Sequence, residues 1–377
     1  MLFLGLASNY SGRATLSHLF SLGTSSDYKN LEKELAKRFK TEISQVSLVY
    51  SGRTAIFLAL KSFLDSGKIK KGDHVAVNGF TCKAVAEAVK KAGLEPVYID
   101  IEKSSPDFSK ESLESKIKED KLLKVFILQN TFGIPCDISG FEKIKEKYGL
   151  LMIEDLAHCA GRKYADGREI GTVGDSACLS FGKGKSIDTI IGGAVVLRNN
   201  FSFPKSFKKS DLKLPKLGDS MRAGWYPLFG VIARGLTHLH LEKPFLGLLL
   251  KLRWIERSAD TALDSSRTIT NWQSKLALSQ LKSLRPTPLR KYYLVENREA
   301  CLKELKKHGF RLEELWYEVP VAPERYYKSL HYPEVSCPNA VRFSKEVINL
   351  PTWYKDETHK NELKEAEKII KSFRRTK

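Results

Sequence analysis

Over the first two hundred residues, short apolar runs alternate with segments in which apolar positions recur every three or four residues. The runs are typical of buried strands, and the recurring pattern is typical of helices packed on a sheet. The predicted elements are helix 28–40, strand 47–50, helix 53–65, strand 74–78, helix 82–92, strand 96–101, helix 110–118, strand 123–129, helix 140–148, and strands 150–154, 176–181 and 192–197. This alternation predicts an α/β fold with a mostly parallel sheet flanked by helices.

After residue 265 the pattern changes to longer helical segments. Helices are predicted at 270–283 and 287–308, followed by a shorter α/β segment and a charged helix at 356–373. A chain of 377 residues is long enough for more than one hydrophobic core. We therefore predict a large domain over residues 1–265 and a smaller C-terminal α/β domain over residues 266–377.

Two predicted strands end in residues that could bind a ligand. The apolar run 150–153 leads into Glu154 and Asp155, and the run 177–181 leads into a Gly-Lys-Gly-Lys loop that ends at Lys185. Ligands of open α/β sheets bind at the carboxyl ends of strands. This pairing suits pyridoxal phosphate (PLP), which a lysine binds as a Schiff base while an acid keeps the pyridine nitrogen protonated. Alternatively, Asp155 caps a helix and the lysines are solvated loop charges.

A second motif lies upstream, where the strand at 47–50 runs into Ser51-Gly52-Arg53-Thr54 and an apolar-periodic helix. Backbone N–H groups and a threonine hydroxyl at a helix start form a site for an anion such as phosphate. An ordinary helix cap is the alternative. The motif has neither the lysine of a Walker loop nor the GxGxxG spacing, so it does not favour binding of a nucleoside triphosphate or NAD.

Taken in order, these and other segments resemble the DegT/StrS-type aminotransferases, which are PLP-dependent enzymes of fold type I. The resemblance extends from about Tyr28 to about Pro351. The matching segments are SGRTA at 51–55, GDHVAVNGFT at 72–81, AGLEPVYID at 92–100, FGIPCD at 132–137, IEDLAH at 153–158, LSFGKGK at 179–185, GGAVV at 192–196, CPNA at 337–340 and LP at 350–351.

The resemblance implies which residues bind the reactive parts of the cofactor. Lys185 matches the lysine that forms the Schiff base, and Lys183 is the competing candidate. Asp155 matches the partner of the pyridine nitrogen. Ser180 and the turn formed by Gly52, Arg53 and Thr54 match the phosphate contacts.

Three residues depart from the pattern of the family. His158 stands where the family usually has a glutamine near the ring oxygen of the cofactor. Cys82 stands where many relatives stack an aromatic ring on the pyridine. Arg267 lies near the place of an asparagine that reaches the phosphate of the neighbouring subunit. It could bind that phosphate with its two-pronged guanidinium or form a surface ion pair.

The resemblance further implies a homodimer that transfers an amino group, usually from glutamate, to a keto sugar linked to a nucleotide. A PLP-dependent sugar dehydratase is one alternative, although relatives with that chemistry replace the lysine with histidine. The other alternative is a non-catalytic protein of the same fold that acts as a sensor or a membrane-associated scaffold.

Net charge and cysteine content indicate which partners and which cellular compartment suit the chain. The chain carries 63 Lys and Arg against 44 Asp and Glu, a net charge of +19, without a recognisable nucleic-acid-binding motif. Anionic substrates or an anionic membrane suit this charge. Six cysteines without a CxxC pair predict a reduced, cytoplasmic protein without a metal site. The basic and apolar insertion at 201–265 is interpreted as a lid, a dimer interface or a membrane-docking segment.

Overall fold

The computed structural model describes residues 2–4, 23–236, 239–255, 263–284, 287–312, 315–333, 336–353 and 357–374. The strands are β1 Leu2–Leu4, β2 Val46–Val49, β3 His74–Asn78, β4 Thr81–Cys82, β5 Glu95–Ile99, β6 Leu123–Gln129, β7 Leu151–Asp155, β8 Ser176–Ser180, β9 Gly193–Leu197, β10 Arg290–Leu294, β11 Phe310–Leu312, β12 Val321–Ala322 and β13 Val347–Pro351. The helices are α1 Ser25–Arg38, α2 Gly52–Asp65, α3 Lys83–Ala92, α4 Lys110–Glu119, α5 Ile138–Tyr148, α6 Leu217–Leu236, α7 Glu242–Lys251, α8 Asn271–Lys282, α9 Arg298–Lys307, α10 Tyr327–Leu330, α11 Pro338–Glu346 and α12 Glu357–Ser372.

A seven-stranded sheet with the order β2-β9-β8-β7-β6-β3-β5 forms the centre of the fold. Strand β9 is antiparallel to its neighbours β2 and β8, and the other pairs are parallel. The predicted α/β class with a mostly parallel sheet is therefore confirmed. The elements predicted between residues 28 and 197 are present, with ends that differ by up to three residues.

Helices cover both faces of this sheet, which explains why its strands are continuous apolar runs. All of β2 and all of β9 are buried. On one face, Leu31, Phe141 and Ala277 of helices α1, α5 and α8 belong to one hydrophobic cluster. On the other face, Leu58 and Val89 of helices α2 and α3 belong to a second cluster.

The predicted helix 287–308 is wrong, because its first half is strand β10. Residues Arg290–Leu294 pair antiparallel with β13, so that Tyr292 lies opposite Asn349. Asn297 then begins helix α9 by accepting the N–H of Ala300 at 2.9 Å. The strand forms because a partner more than fifty residues away supplies its hydrogen bonds, and tertiary pairing of this kind overrides local propensity.

The C-terminal part has its own small cluster of buried side chains, which joins β10 and β13 to helices α9 and α12. A separate parallel pair of short strands, β4 and β12, connects this part to the segment that follows β3 of the central sheet. Helix α8, in contrast, packs through Ala277 and Leu281 in the core of the large sheet. The division of the chain at residue 265 stays a prediction.

Helices α6 and α7 lie within the predicted insertion at 201–265 and pack against each other. Tyr226 and Phe229 of α6 share a cluster with Leu249 of α7 and with Ile190 from the loop after β8. Among the helices that the structure describes, none combines the length and the apolar character needed to cross a membrane.

Candidate active site

The carboxyl ends of β7 and β8 lie next to each other at one edge of the sheet. Asp155, the last residue of β7, pairs in register with Cys178 of β8, and β8 ends at Ser180. The loop after β8 carries Lys185 to this edge, where its amine contacts His158 from the loop after β7. The structure therefore brings Asp155, His158, Ser180 and Lys185 together around one cavity.

The two adjacent acids of β7 have different roles, because successive side chains of a strand point to opposite faces. Glu154 is fully buried. It accepts hydrogen bonds from the hydroxyl of Tyr164 and from three backbone N–H groups between residues 171 and 174, at distances of 2.6 to 2.9 Å. This carboxylate holds the loop between β7 and β8 in place. Asp155, on the other face, lines the cavity.

Asp155 presents a buried carboxyl group to the cavity. Its Oδ1 accepts the N–H of Ala157 at 2.9 Å. Burial raises the pKa of Asp155, while the N–H of Ala157 and the nearby charge of Lys185 act in the opposite direction. A cationic ring nitrogen bound beside this group would lower its pKa again, since an opposite charge favours the ionised form.

Lys185 has its amine in a crowded, mostly buried environment, although the residue as a whole is partly exposed. Nζ lies 2.9 Å from Nε2 of His158 and 4.6 Å from the centre of the Trp316 ring. Burial lowers the pKa of Lys185, and the positive charge of Arg290 lowers it as well, whereas nearby acidic groups oppose both effects. A lowered pKa favours the neutral amine, the form in which a lysine acts as a nucleophile.

The hydrogen bonds of His158 indicate which of its ring nitrogens carries the proton. Its Nδ1 accepts the backbone N–H of Phe132 at 3.2 Å, so this nitrogen carries no proton. Burial, together with the positive charges of Lys185 and Arg290, keeps the pKa of His158 well below its ordinary value, and the ring is neutral. The proton of the neutral ring is then on Nε2. When the amine of Lys185 is neutral, Nε2–H can donate a hydrogen bond to its lone pair.

Lys183, the competing lysine, also lines the cavity but has a different neighbour. Its Nζ lies 4.5 Å from the centre of the Tyr226 ring on helix α6. The geometry favours Lys185, because its amine contacts His158 directly. The assignment of the Schiff-base lysine stays a prediction.

The start of helix α2 approaches β8 closely and forms the opposite end of the cavity. Ser51 caps the helix by accepting the N–H of Thr54 at 3.3 Å. A side chain at Gly52 would bring its Cβ within 2.7 Å of the Cβ of Ser180, so glycine permits this approach. Ser180 accepts the N–H of Gly182 at 3.4 Å and can donate its own hydroxyl hydrogen. First-turn N–H groups and this hydroxyl form an anion site.

The two arginines predicted to contact phosphate both form ion pairs. Nη1 of Arg53, which also lines the cavity, lies 2.5 Å from the carboxylate of Glu87 on helix α3. The guanidinium of Arg267 lies 3.2 Å from Asp264 and 3.3 Å from Asp219, and Arg267 is outside the set of cavity-lining residues. The ion pair anticipated for Arg267 is thus present, and a phosphate contact by either arginine stays a prediction.

Cys82 lines the cavity and caps helix α3. Its Sγ accepts the N–H of Ala84 at 3.3 Å. Cys82 also pairs with Ala322 where β4 meets β12. The thiol therefore lies beside the cavity and has a structural function there, and its contact with the cofactor stays a prediction.

Three residues of the C-terminal part were not predicted from the sequence: one lines the cavity, and the other two lie outside its lining, next to His158. Trp316 stacks on His158, with ring centres 4.8 Å apart and planes inclined by 28°. The guanidinium carbon of Arg290 lies 4.1 Å from the centre of the Trp316 ring, and its Nη1 donates to Oδ1 of Asn349 at 3.0 Å. Tyr317 lines the cavity. Burial raises the pKa of Tyr317 well above its ordinary value, so its hydroxyl stays protonated.

These residues reach the site through one backbone connection. Val321 pairs with Thr81, and the N–H of Thr81 donates to the carbonyl of Pro320 at 2.8 Å. Trp316 and Tyr317 lie just before this connection, next to the cavity. A Trp-Tyr pair in an irregular segment is the available signal in the sequence, but it does not indicate which part of the fold it meets.

The arrangement fits PLP by its chemistry. The cavity offers an anion site for the phosphate, an amine with a lowered pKa for the aldehyde and a buried carboxyl group for the pyridine nitrogen. Among the described residues, no group of three or more His, Cys, Asp or Glu side chains is placed to hold a metal ion.

The comparison with known families identifies the chain. The model of the DegT/DnrJ/EryC1/StrS aminotransferase family matches residues 14–205, slightly more than half of the 377 residues. This chain belongs to that family. The predicted family is thereby confirmed, and the enzyme is a PLP-dependent aminotransferase with PLP as its cofactor.

The individual relatives have low to moderate sequence identity to this chain. A pleiotropic regulatory protein of Geobacillus stearothermophilus is 24% identical over 307 residues, which cover 80% of this chain and 78% of that protein. The GDP-perosamine synthase of Vibrio cholerae is 30% identical over 177 residues, which cover 45% of this chain and 46% of that enzyme. The chain thus spans about half the length of this synthase.

A solved structure shares the fold over nearly the whole length. The GDP-4-keto-6-deoxy-D-mannose-3-dehydratase of E. coli, with bound hydrated PLP, has a TM-score of 0.68 and is 15% identical. The similarity covers 98% of this chain and 100% of that chain. Both chains therefore have the same architecture.

Proposed function

We propose that this aminotransferase moves an amino group from glutamate to a keto sugar linked to a nucleotide, and that it acts as a cytoplasmic homodimer. The observation that carries the proposal is the amine of Lys185, which lies 2.9 Å from Nε2 of His158 at the strand edge that ends in Asp155. Amino transfer needs such an amine twice, once to bind the cofactor and once to move a proton.

The residues that face the proposed cofactor have distinct roles in this reaction. Asp155 binds the ring nitrogen and keeps it protonated, and the start of helix α2 with Ser180 binds the phosphate. When bound, PLP supplies an electron-accepting ring that weakens the bond from which the proton leaves. Lys185, once released from the cofactor, takes this proton as a base and returns it as an acid. His158 orients the amine through both steps.

The stacking of Arg290 on Trp316 favours a substrate that carries an anionic group. A guanidinium stacked on an aromatic ring is pre-organised for bidentate hydrogen bonds to the oxygens of a carboxylate or a phosphate. Glutamate and a nucleotide-linked sugar both carry such groups. The similarity to GDP-perosamine synthase and to a UDP-linked 3-aminotransferase of Acidithiobacillus ferrooxidans, 33% identical over 147 residues, also supports a nucleotide-linked sugar.

The fold alone does not separate amination from dehydration, since a sugar dehydratase has the same architecture. Lys185 favours amination, because the family resemblance associates dehydration with a histidine in place of this lysine. A non-catalytic regulator is the second alternative, and the similarity to a pleiotropic regulatory protein is the observation in its favour. The presence of Lys185 and Asp155 around one cavity favours an enzyme.

The test is a two-stage assay of the purified protein with PLP. In the first stage, glutamate should remove the visible absorbance of the lysine-bound cofactor and yield 2-oxoglutarate. In the second stage, mass spectrometry should detect an amino sugar after addition of nucleotide-linked keto sugars. A product that has lost a hydroxyl group without gaining nitrogen would establish dehydration, and absorbance that glutamate leaves unchanged would favour the regulator.

Two further parts of the proposal concern assembly and location. The six cysteines are free thiols in the structure, and five of them are buried. Unpaired cysteines are ordinary in the reducing cytoplasm, so they support a cytoplasmic enzyme. Sedimentation of the holoenzyme should give the mass of two chains, and a monomer at micromolar concentration would contradict the homodimer.

A further inference from the structure

Exposed apolar side chains are concentrated on helices α6 and α7 and on the loops that flank them. In the described part of the chain, ten of the twelve exposed large apolar side chains lie between residues 214 and 254. On the surface of a soluble protein, exposed large apolar side chains ordinarily occur singly and far apart. We call the ten residues and the basic residues among them the α6–α7 surface. The ten are Leu214, Leu217, Met221, Trp225, Ile232, Leu239, Leu241, Leu248, Leu252 and Trp254.

Helix α6 is apolar on two opposite sides, and only one of them is used by the core. Exposed residues recur at intervals of four, four and seven positions, which places them on one side of the helix. Buried residues of the opposite side pack on helix α7 and on the loop after β8. The exposed residues are Leu217, Met221, Trp225 and Ile232, and the buried ones are Ala223, Tyr226, Phe229 and Ala233. Packing within the chain thus explains the buried side and leaves the exposed side unexplained.

The same surface is strongly basic. Residues 212–255 contain seven Lys and Arg against two Asp and Glu, a net charge of +5. Both acids are already paired. Asp219 forms ion pairs with Arg222 and Arg267, and the buried Glu242 pairs with Arg311. The exposed basic residues are Lys213, Lys216, Lys243, Lys251 and Arg253.

Two partners could cover the α6–α7 surface, a second copy of the chain or an anionic membrane, and the charge of the surface favours one of them. A face-to-face pairing with a second copy would place this positive excess against itself, because a twofold interface presents the same patch from both sides. The headgroups of an anionic membrane would neutralise it instead. Trp225 and Trp254 also suit a boundary between water and lipid, where an apolar ring carries one polar N–H group.

We propose that the α6–α7 surface binds the enzyme to the surface of an anionic membrane. The exposed apolar side chains of the α6–α7 surface enter the headgroup region, and the lysines and arginines among them contact lipid phosphates. Membrane binding does not depend on which sugar is aminated. This proposal therefore goes beyond the proposed function, and either of the two can be wrong while the other is right.

Binding in this way brings the cofactor cavity close to the lipid. Tyr226, on the buried side of helix α6, lies over the amine of Lys183 in the cavity wall. Ile190 belongs both to the cavity lining and to the cluster under helices α6 and α7. Helix α6 thus lies between the proposed membrane face and the site, and the docked enzyme acts near the headgroups.

Vesicle flotation of the holoenzyme tests this proposal. We expect the enzyme to float at low salt with vesicles of phosphatidylcholine and phosphatidylglycerol, and to remain at the bottom with phosphatidylcholine alone. Lys251→Gln with Arg253→Gln should weaken binding on the order of 25-fold, since each basic side chain contributes roughly fivefold. Trp225→Ser with Leu252→Ser should remove the part of the binding that high salt leaves intact.

A matched control lies elsewhere on the same chain. Leu122 is 45% exposed and stands between the exposed residues Lys121 and Lys124. Lys121→Gln with Lys124→Gln removes the same charge, and Leu122→Ser removes an exposed apolar side chain. Both variants should bind vesicles like the unmodified enzyme. An equal loss in control and test variants would overturn the proposal, because it would mean nonspecific attraction by net charge.

Two other outcomes would also overturn it. The first is an enzyme that stays at the bottom with anionic vesicles at low salt. The second is an apolar variant that changes the sedimentation mass while vesicle binding persists, which would assign the surface to a second copy. Leu217→Ser serves as a further apolar variant if Trp225→Ser fails to fold, since Leu217 is 77% exposed.

Discussion

Nε2 of His158 lies 2.9 Å from the amine nitrogen of Lys185, while Nδ1 of the same ring accepts the backbone N–H of Phe132. A neutral histidine that accepts at one nitrogen can donate from the other, and a donor in this position favours the neutral form of the lysine. A glutamine can do the same with its carbonyl and amide groups. This equivalence explains how histidine can stand where the family usually has glutamine.

The first prediction concerns the pH dependence of cofactor capture. The neutral fraction of Lys185 rises with pH, and a pKa below the ordinary 10.5 moves the midpoint of capture to lower pH. His158→Ala should move this midpoint upward, because water replaces a fixed donor and stabilises the charged amine. His158→Gln should leave it nearly unchanged. Stopped-flow mixing of the cofactor-free protein with PLP measures the midpoint, and equal values for all three proteins would refute the donor role.

The second prediction concerns Arg290, whose positive charge lowers the pKa of Lys185. Arg290→Met should raise the pKa of Lys185 and move the midpoint of PLP capture upward. Arg290→Lys keeps the charge and should stay close to the unmodified protein. If Arg290 also binds the donor carboxylate, Arg290→Met should raise the KM for glutamate more than it lowers kcat. A midpoint that Arg290→Met leaves in place would show that the charge is screened.

The third prediction concerns the identity of the cofactor lysine. Borohydride reduction followed by peptide mapping should place the pyridoxyl group on Lys185. Lys185→Ala should reduce turnover to the background, whereas Lys183→Ala should retain most of it, because that amine lies over Tyr226. A label on Lys183 would reverse the assignment.

The fourth prediction separates the two acids of β7. Asp155→Asn should lower turnover by orders of magnitude in a protein that still folds, since the ring nitrogen loses its ionised partner. Glu154→Gln should instead lower the free energy of unfolding by about 3 kcal/mol, because four donors lose a buried carboxylate. Urea unfolding measures the difference. Glu142→Gln, in the partly exposed pair with Arg168, is the control and should cost less than about 1 kcal/mol.

The fifth prediction concerns Cys82, which lines the cavity and caps helix α3. Cys82→Phe should tighten PLP binding by about 1 kcal/mol if the new ring stacks on the cofactor. It should also cost about 1 kcal/mol of stability, since the cap is lost. Cys82→Ser keeps the cap and adds no ring, so it should change neither quantity much. Weaker PLP binding in Cys82→Phe would mean that position 82 does not face the ring.

The sequence by itself determined the features that depend on neighbours along the chain. Alternating apolar runs and helical periodicity indicate the α/β sheet, because burial on both faces makes its strands continuously apolar. Asp155 and Ser180 could be placed at strand ends from the sequence, since the end of an apolar run is visible there. The start of helix α2 could be placed for the same reason.

Only the tertiary structure decided which residues meet across large separations. Strand β10 was mistaken for helix because its partner β13 lies more than fifty residues away. Trp316 and Arg290 join His158 and Lys185 because β12 pairs with β4, which lies some 240 residues earlier in the chain. Such pairings depend on how the whole chain closes, and no local pattern records them. The direction of each side chain is decided in the same way, so that Glu154 became a buried support while Asp155 faced the cavity.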